Sequence, residues 1–466
     1  MKKIIITLLF ALLASFAGLA QDITGAWNGA LEVGGQKLRL VFNIEKTGAG
    51  ISATMDSPDQ NAFGIPVSKA TFDGTKLLIS ITQAGIKYEG TLAGDNITGT
   101  FTQMGSSFPM VLSKNAQKVE KPKRPQEPQK PYPYVSEDVT FKNSEAGINL
   151  AGTLTLPDAK GKHPAVVLIS GSGPQNRDEE LMGHKPFLVL ADHLTRNGIA
   201  VLRFDDRGTG ESGGDFSKAT SFDFATDAKA ALDYLKSRKE IDPATIGLMG
   251  HSEGGIVAPI VASQHFGEVA FIVLLAGPGL PGRDIVMMQQ KLIGKASGMP
   301  NGDLKLAASI NKQIFDLIDE IENPEELEKE VMDLFHEIIK DNPEMIPEGM
   351  EVGQFIDMQL SQLLTPWMKN FLTYNPVIAL KKVRCPVLAI NGEKDLQVPP
   401  KENLEIIRET LENAGNKNVS TIELKGLNHL FQECKTGLPA EYGQIEQTMS
   451  PVALNTISKW IKEQVE

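Results

Sequence analysis

A chain of 466 residues is too long for one small core and predicts two or three domains. Its 41% hydrophobic and 22% charged residues are those of a soluble globular protein. The formal net charge of −12 comes with no basic stripe interleaved with aromatics, which argues against nucleic acid as a partner and leaves the acidic balance to solubility.

The first twenty residues stand apart. Lys2 and Lys3 precede an apolar run over 4–17, too short to span a bilayer comfortably, and Gly18 and Ala20 sit at −3 and −1 of a cut before Gln21. This pattern predicts a signal peptide and an exported protein, periplasmic or secreted. No cysteine follows the run, and no later stretch is apolar enough to anchor the chain stably in a membrane. The two cysteines, Cys385 and Cys434, could form one bridge or remain separate buried thiols.

Residues 21–114 read as an all-β domain. Short runs such as KLRLVFNI, KLLISIT and ITGTFTQ alternate with Gly, Asp, Asn and Pro turns, which predicts a small barrel or sandwich. Trp27 is expected in its core. With no His or Cys in the module, a metal site is not expected. Residues 115–134, rich in Pro and charge, predict a semi-rigid linker that stays solvated.

From Val135 to the end, fully apolar runs alternate with amphipathic helical stretches. AVVLISG, AVLRFDD, TIGLMG, FIVLLAG and PVLAING read as strands of a mostly parallel sheet covered on both faces, an α/β domain over 135–466. One insertion, at about 280–375, carries helical apolar spacing. It falls after a strand end, where a cap over the C-terminal edge of the sheet would sit.

Gly250-His251-Ser252-Glu253-Gly254 is G-x-S-x-G between a strand and a helix. In that context the motif marks a sharp turn that projects a serine above the sheet edge, with glycines as steric clearance. A nucleophilic Ser252 needs a base, and the base needs an orienting acid. Of the seven histidines, His163 lies on the wrong edge of the sheet. His193, His265 and His336 belong to helices or their ends, and His251 points elsewhere from the turn. His184 lies in a loop that could line the site. His429 follows strand STIELKG at its C-terminal end and is the best base. The acid should end the preceding strand, where Asp395 is favoured and Glu393 is the second choice. One oxyanion donor is the amide of Glu253. The other is expected from Ser172, or from Gly173, since Pro174 has no N–H. Asp205–Ser212, DDRGTGES, reads as a structural loop beside the site.

From Val166 onward, LISGSGPQNRDE, VLRFDDRGTGES, GLMGHSEGG, CPVLAINGEKDLQVP and GLNHLFQ resemble, in order, the α/β-hydrolase superfamily. They are most similar to EstD-type bacterial carboxylesterases and their serine-aminopeptidase-like relatives. The resemblance implies a Ser252–His429–Asp395 triad and a helical cap between the sixth and seventh core strands. It also implies no cofactor, and a small-molecule ester, preferentially short-chain, as substrate. A peptidase acting near an amino terminus is the alternative. A glycan- or cell-wall-binding protein with an inert hydrolase domain is a third possibility, of a different class.

Overall fold

The computed structural model describes residues 22–466 except 34–35, 49, 61, 83–84, 104–105, 115–122 and 347–349. The expected signal peptide and the first part of the expected linker lie outside the described residues. The chain divides into two compact units, one within residues 1–117 and one dominated by residues 118–466.

The first unit is a nine-stranded antiparallel sheet, a half-barrel. Consecutive strands pair as a meander, except that the fourth and fifth form the two open edges. The first strand (Gly25–Val33) pairs with the ninth (Ser106–Ser113) in mid-sheet. The period-2 pattern produces this directly. Along Ile86–Ala93 every second side chain is buried and every other one exposed. The buried set includes Trp27, Phe42, Tyr88 and Phe101. Trp27 is a core residue whose Nε1 donates to the Ile23 carbonyl oxygen at 2.6 Å.

The second unit holds an eight-stranded sheet. Its strands are β1 (Val135–Asn143), β2 (Ile148–Leu156), β3 (His163–Ile169), β4 (Ala200–Phe204), β5 (Ile241–His251), β6 (Ile272–Leu275), β7 (Val387–Gly392) and β8 (Val419–Leu424). The spatial order is β1-β2-β4-β3-β5-β6-β7-β8. The β1–β2 and β2–β4 pairs are antiparallel, and all later pairs are parallel. Helices α1 (Pro186–Arg196), α2 (Ser221–Ser237) and α3 (Gly254–Gln264) alternate with the strands. Both faces are covered, so a continuous apolar run still splits by period 2. Val166 and Leu168 pack with α1 side chains, whereas Ala165, Val167 and Ile169 pack with α2 and α3.

Between β6 and β7 the chain forms α4 (Gly282–Ala296), α5 (Asn301–Glu320), α6 (Pro324–Asp341), α7 (Val352–Leu363) and α8 (Pro366–Thr373). Side chains of these helices, among them Ile314, Val331, Phe335 and Ile356, build a hydrophobic core of their own. His336 is an exposed residue of α6. After this cap come α9 (Val377–Leu380), α10 (Pro400–Asn413) and, at the end, α11 (Pro451–Val465).

The described part of the proline-rich segment departs from the expected solvated spacer. The Arg124 guanidinium donates to the carbonyl oxygens of Met182 and Gly183 at 3.1 Å, Gly443 at 2.9 Å and Ile445 at 2.6 Å. Gln126 donates to the Met449 carbonyl and accepts from the amides of Thr448 and Met449. Arginine's fixed fork of five donors matches such a set of carbonyls, and composition gives no sign of it. Both cysteines are unbridged. Burial pushes the Cys385 thiol up to about 12, as befits an inert core sulfur. No helix among the described residues is long and apolar enough to cross a membrane.

Candidate active site

Ser252 follows the last residue of β5, and α3 starts two residues later. Its φ is +51°, the left-handed region that costs a residue with a Cβ about 1–3 kcal/mol. The turn is held by the Ser252 N–H, which donates to the Leu275 carbonyl at the end of β6 (2.8 Å). The flanking glycines are sterically required. A Cβ on Gly250 would lie 1.9 Å from the Gly254 oxygen, and one on Gly254 would lie 2.2 Å from the Ile169 oxygen. Strand and helix can make this turn only with hydrogen at both positions.

Asp395 and His429 sit in the loops after β7 and β8. Asp395 is 2% exposed. Its Oδ1 accepts from the amides of Gln397 (2.8 Å) and Val398 (2.9 Å), and its Oδ2 lies 2.8 Å from His429 Nδ1. A carboxylate so placed keeps the proton on Nδ1 and leaves Nε2 as an acceptor. Glu393 takes a different role, accepting from the Gly426 amide at 2.9 Å. His184 does not line the site. It is fully buried beneath the His429 loop, bonded to Thr448 Oγ1, the Tyr442 carbonyl and Gln432. Gln432 in turn bonds Asn428, whose Oδ1 accepts from the Leu430 and Gln432 amides. This network fixes the loop that carries His429.

The loop after β3 is braced by two buried acids. Asp206 accepts from Ser170 Oγ (2.6 Å) and the Gln175 amide (2.9 Å). Burial pushes the Asp206 carboxyl up to about 8 against those hydrogen bonds. Glu179 accepts from the Gly171 amide at 2.7 Å. With Gly171 engaged, the amides of Ser172 and Gly173 donate to nothing among the described residues, and the same holds for Glu253. Arg177 and Arg207 pair with Asp205 and Asp227, so Asp205–Ser212 is a structural loop.

Two features were missed by sequence reasoning. His251 does not point idly away. Its ring stands 4.8 Å from that of His429 and bonds both Glu179 and the His429 backbone. The Glu253 side chain is buried, accepting from Ser221 Oγ (2.6 Å) and from Trp367 Nε1 of the cap helix α8 (2.8 Å). Burial raises its pKa, only partly offset by those two bonds. A glutamate inside a glycine-rich turn carries no local mark of burial. Only the preference of a motif for that position could have signalled it.

The eight-stranded order, the turn at Ser252 and the cap between β6 and β7 are those of the α/β-hydrolase fold. The chain resembles EstD-type esterases within it. Residues 185–368 match the family model described as serine aminopeptidase, S33. Esterase EstD of Thermotoga maritima is 25% identical over 69% of this chain and 68% of its own length. An uncharacterised 31.7 kDa protein of Escherichia coli is 24% identical over 54% of this chain and 80% of its own. Among solved structures, an esterase of Pyrococcus furiosus aligns with a TM-score of 0.42 at 16% identity, covering 71% of this chain and 93% of that one.

Proposed function

We propose that the protein is an exported serine carboxylesterase that prefers short-chain acyl esters. What supports this reading is the left-handed Ser252 at the sheet edge, following His251, whose ring stands 4.8 Å from that of a His429 hydrogen-bonded to a buried Asp395. Ser252 Oγ attacks the ester carbonyl while His429 Nε2 takes its proton. Asp395 holds the ring and stabilises the imidazolium. The amides of Ser172 and Glu253 receive the oxyanion. The alcohol leaves with the proton from His429, and water, activated by the same ring, releases the acid from the acyl-enzyme. The Ser252 hydroxyl makes no hydrogen bond among the described residues. Contacts of this kind commonly tighten only when substrate is bound.

The chemistry itself needs no cofactor. The cap favours an enclosed pocket, which limits acyl length and excludes water. The name of the Thermotoga relative supports ester cleavage. The description of the matching family model favours an aminopeptidase as the second reading, since both reactions run through the same acyl-enzyme. kcat/KM for esters of increasing chain length, measured beside aminoacyl anilides, separates them. A higher value for an anilide selects the peptidase, and rates rising to long chains select a lipase. Failure of a fluorophosphonate probe to label Ser252 would leave only the binding-protein reading.

A further inference from the structure

We propose that His251 is a positioning residue that works only with a proton on both ring nitrogens, so that loss of one proton sets the alkaline limit of activity. This rests on the reading of Ser252 and His429 given above.

The argument begins with what the ring faces. His251 Nδ1 lies 2.8 Å from Glu179 Oε1, and Nε2 lies 3.1 Å from the carbonyl oxygen of His429. A backbone carbonyl can only accept, and so can an ionised carboxylate. A neutral imidazole has a single N–H and satisfies one of the two. With Glu179 ionised, both contacts are hydrogen bonds only when the ring is an imidazolium. The charged and titratable groups around it come from three segments: Glu179 between β3 and α1, His429 after β8, and Asp395 after β7. Burial is the largest single effect and works against a charged ring, but the Glu179 carboxylate, the His429 carbonyl and Asp395 together raise the His251 pKa above that of ordinary imidazole.

The location gives this proton a consequence. Glu179 Oε1 also accepts from the Gly171 amide at 2.7 Å, so one oxygen ties the oxyanion loop to the residue preceding Ser252. The opposite ring nitrogen ties that residue to the backbone of the proposed base. Three loops from distant parts of the chain are thus joined through one side chain. When pH rises through the His251 pKa, a proton leaves to solvent. Nδ1–H stays with the carboxylate, and the Nε2 lone pair then faces the His429 carbonyl oxygen and repels it. His429 must be neutral to act as base, while His251 must be charged to hold it in place. Activity is therefore bell-shaped in pH, and the falling limb belongs to His251.

The test measures kcat and KM of the full chain on a short-chain nitrophenyl ester over roughly pH 5–10. It is done for the natural protein, His251→Gln and Glu179→Gln, with 15N-histidine NMR alongside. Glutamine carries both its donors on one nitrogen, so it cannot occupy the two opposite positions of the ring nitrogens. We expect His251→Gln to lose about tenfold in kcat with KM little changed, and to lose the alkaline limb. Glu179→Gln should move that limb to lower pH. NMR should show one ring, absent from His251→Gln, that is protonated on both nitrogens above the usual imidazole pKa. An unchanged alkaline limb in His251→Gln, or a singly protonated His251 at neutral pH, overturns the proposal. If His251→Gln does not fold, the ring is assigned by its perturbation in Glu179→Gln, and the proton count still decides. Activity retained by Ser252→Ala would sink the nucleophile reading instead, and the NMR result does not depend on it.

Discussion

The two sheets of this chain bury their side chains differently, and the difference determines where chemistry can sit. In the half-barrel only one face of each strand is buried. Among the described residues, the buried polar groups of that unit are few: the Ser57 side chain, the Tyr88 hydroxyl and the Trp27 Nε1. In the eight-stranded sheet both faces are covered, and β7 is buried along its whole length. A few polar groups are buried within its strands, such as Thr153 and Thr155 of β2, but most buried charges lie at or beyond strand ends. Glu179, Asp206, His251, Glu253, Asp395 and His429 are all buried, His251 at the end of a parallel strand and the others in the turns and loops that follow such strands. A sheet closed on two sides concentrates its desolvated charges at one edge, where hydrogen bonds can be supplied by loop amides.

Changes at that edge should cost turnover, and changes in the half-barrel should not. The largest expected effect is Ser252→Ala, with a loss of kcat on the order of 10⁶ and little change in melting temperature, because a protruding hydroxyl packs against little. Ester hydrolysis near the natural rate by folded Ser252→Ala protein would break the comparison at its centre. Next is Asp395→Asn. The amide keeps the shape but favours the wrong tautomer of His429, and a loss of about 10⁴ in kcat is expected. Glu393→Gln, which disturbs only the bond to the Gly426 amide, should change kcat by less than about threefold. The reverse ranking would reassign the acid.

Arg124 sharpens the boundary between the regions. Arg124→Ala removes donors from four backbone carbonyls that flank His184. It should destabilise the hydrolase unit by about 2 kcal/mol in urea unfolding, with a smaller loss in kcat. For the same reason, a truncated protein beginning at residue 118 should keep kcat/KM within about twofold, whereas one beginning at Pro133 should unfold at lower urea. Equal stability of the two would mean that the Arg124 contacts contribute nothing. The smallest effect on turnover is expected from Trp27→Ala. It should destabilise the half-barrel by about 3–5 kcal/mol and leave ester hydrolysis by the folded protein unchanged. A parallel fall in kcat would show that the half-barrel takes part in catalysis.

Several features were legible in the residues alone because each is a local pattern. Short runs separated by turn residues marked the all-β domain, continuous apolar runs marked the covered sheet, and the place of the cap followed from one interruption of the strand–helix alternation. Ser252, Asp395 and His429 could be selected because a parallel sheet fixes which end of each strand a loop follows. Tertiary structure alone decided which side chains meet across those loops. Glu179 finds His251 across 72 residues, and Arg124 reaches the Ile445 carbonyl across 321. Glu253 shares its carboxylate with Ser221 and with Trp367 of the cap. Periodicity encodes which face of an element is buried. The partner of a buried charge is chosen by how separate loops close over one edge, and the cost of leaving such a charge unpaired makes that choice specific.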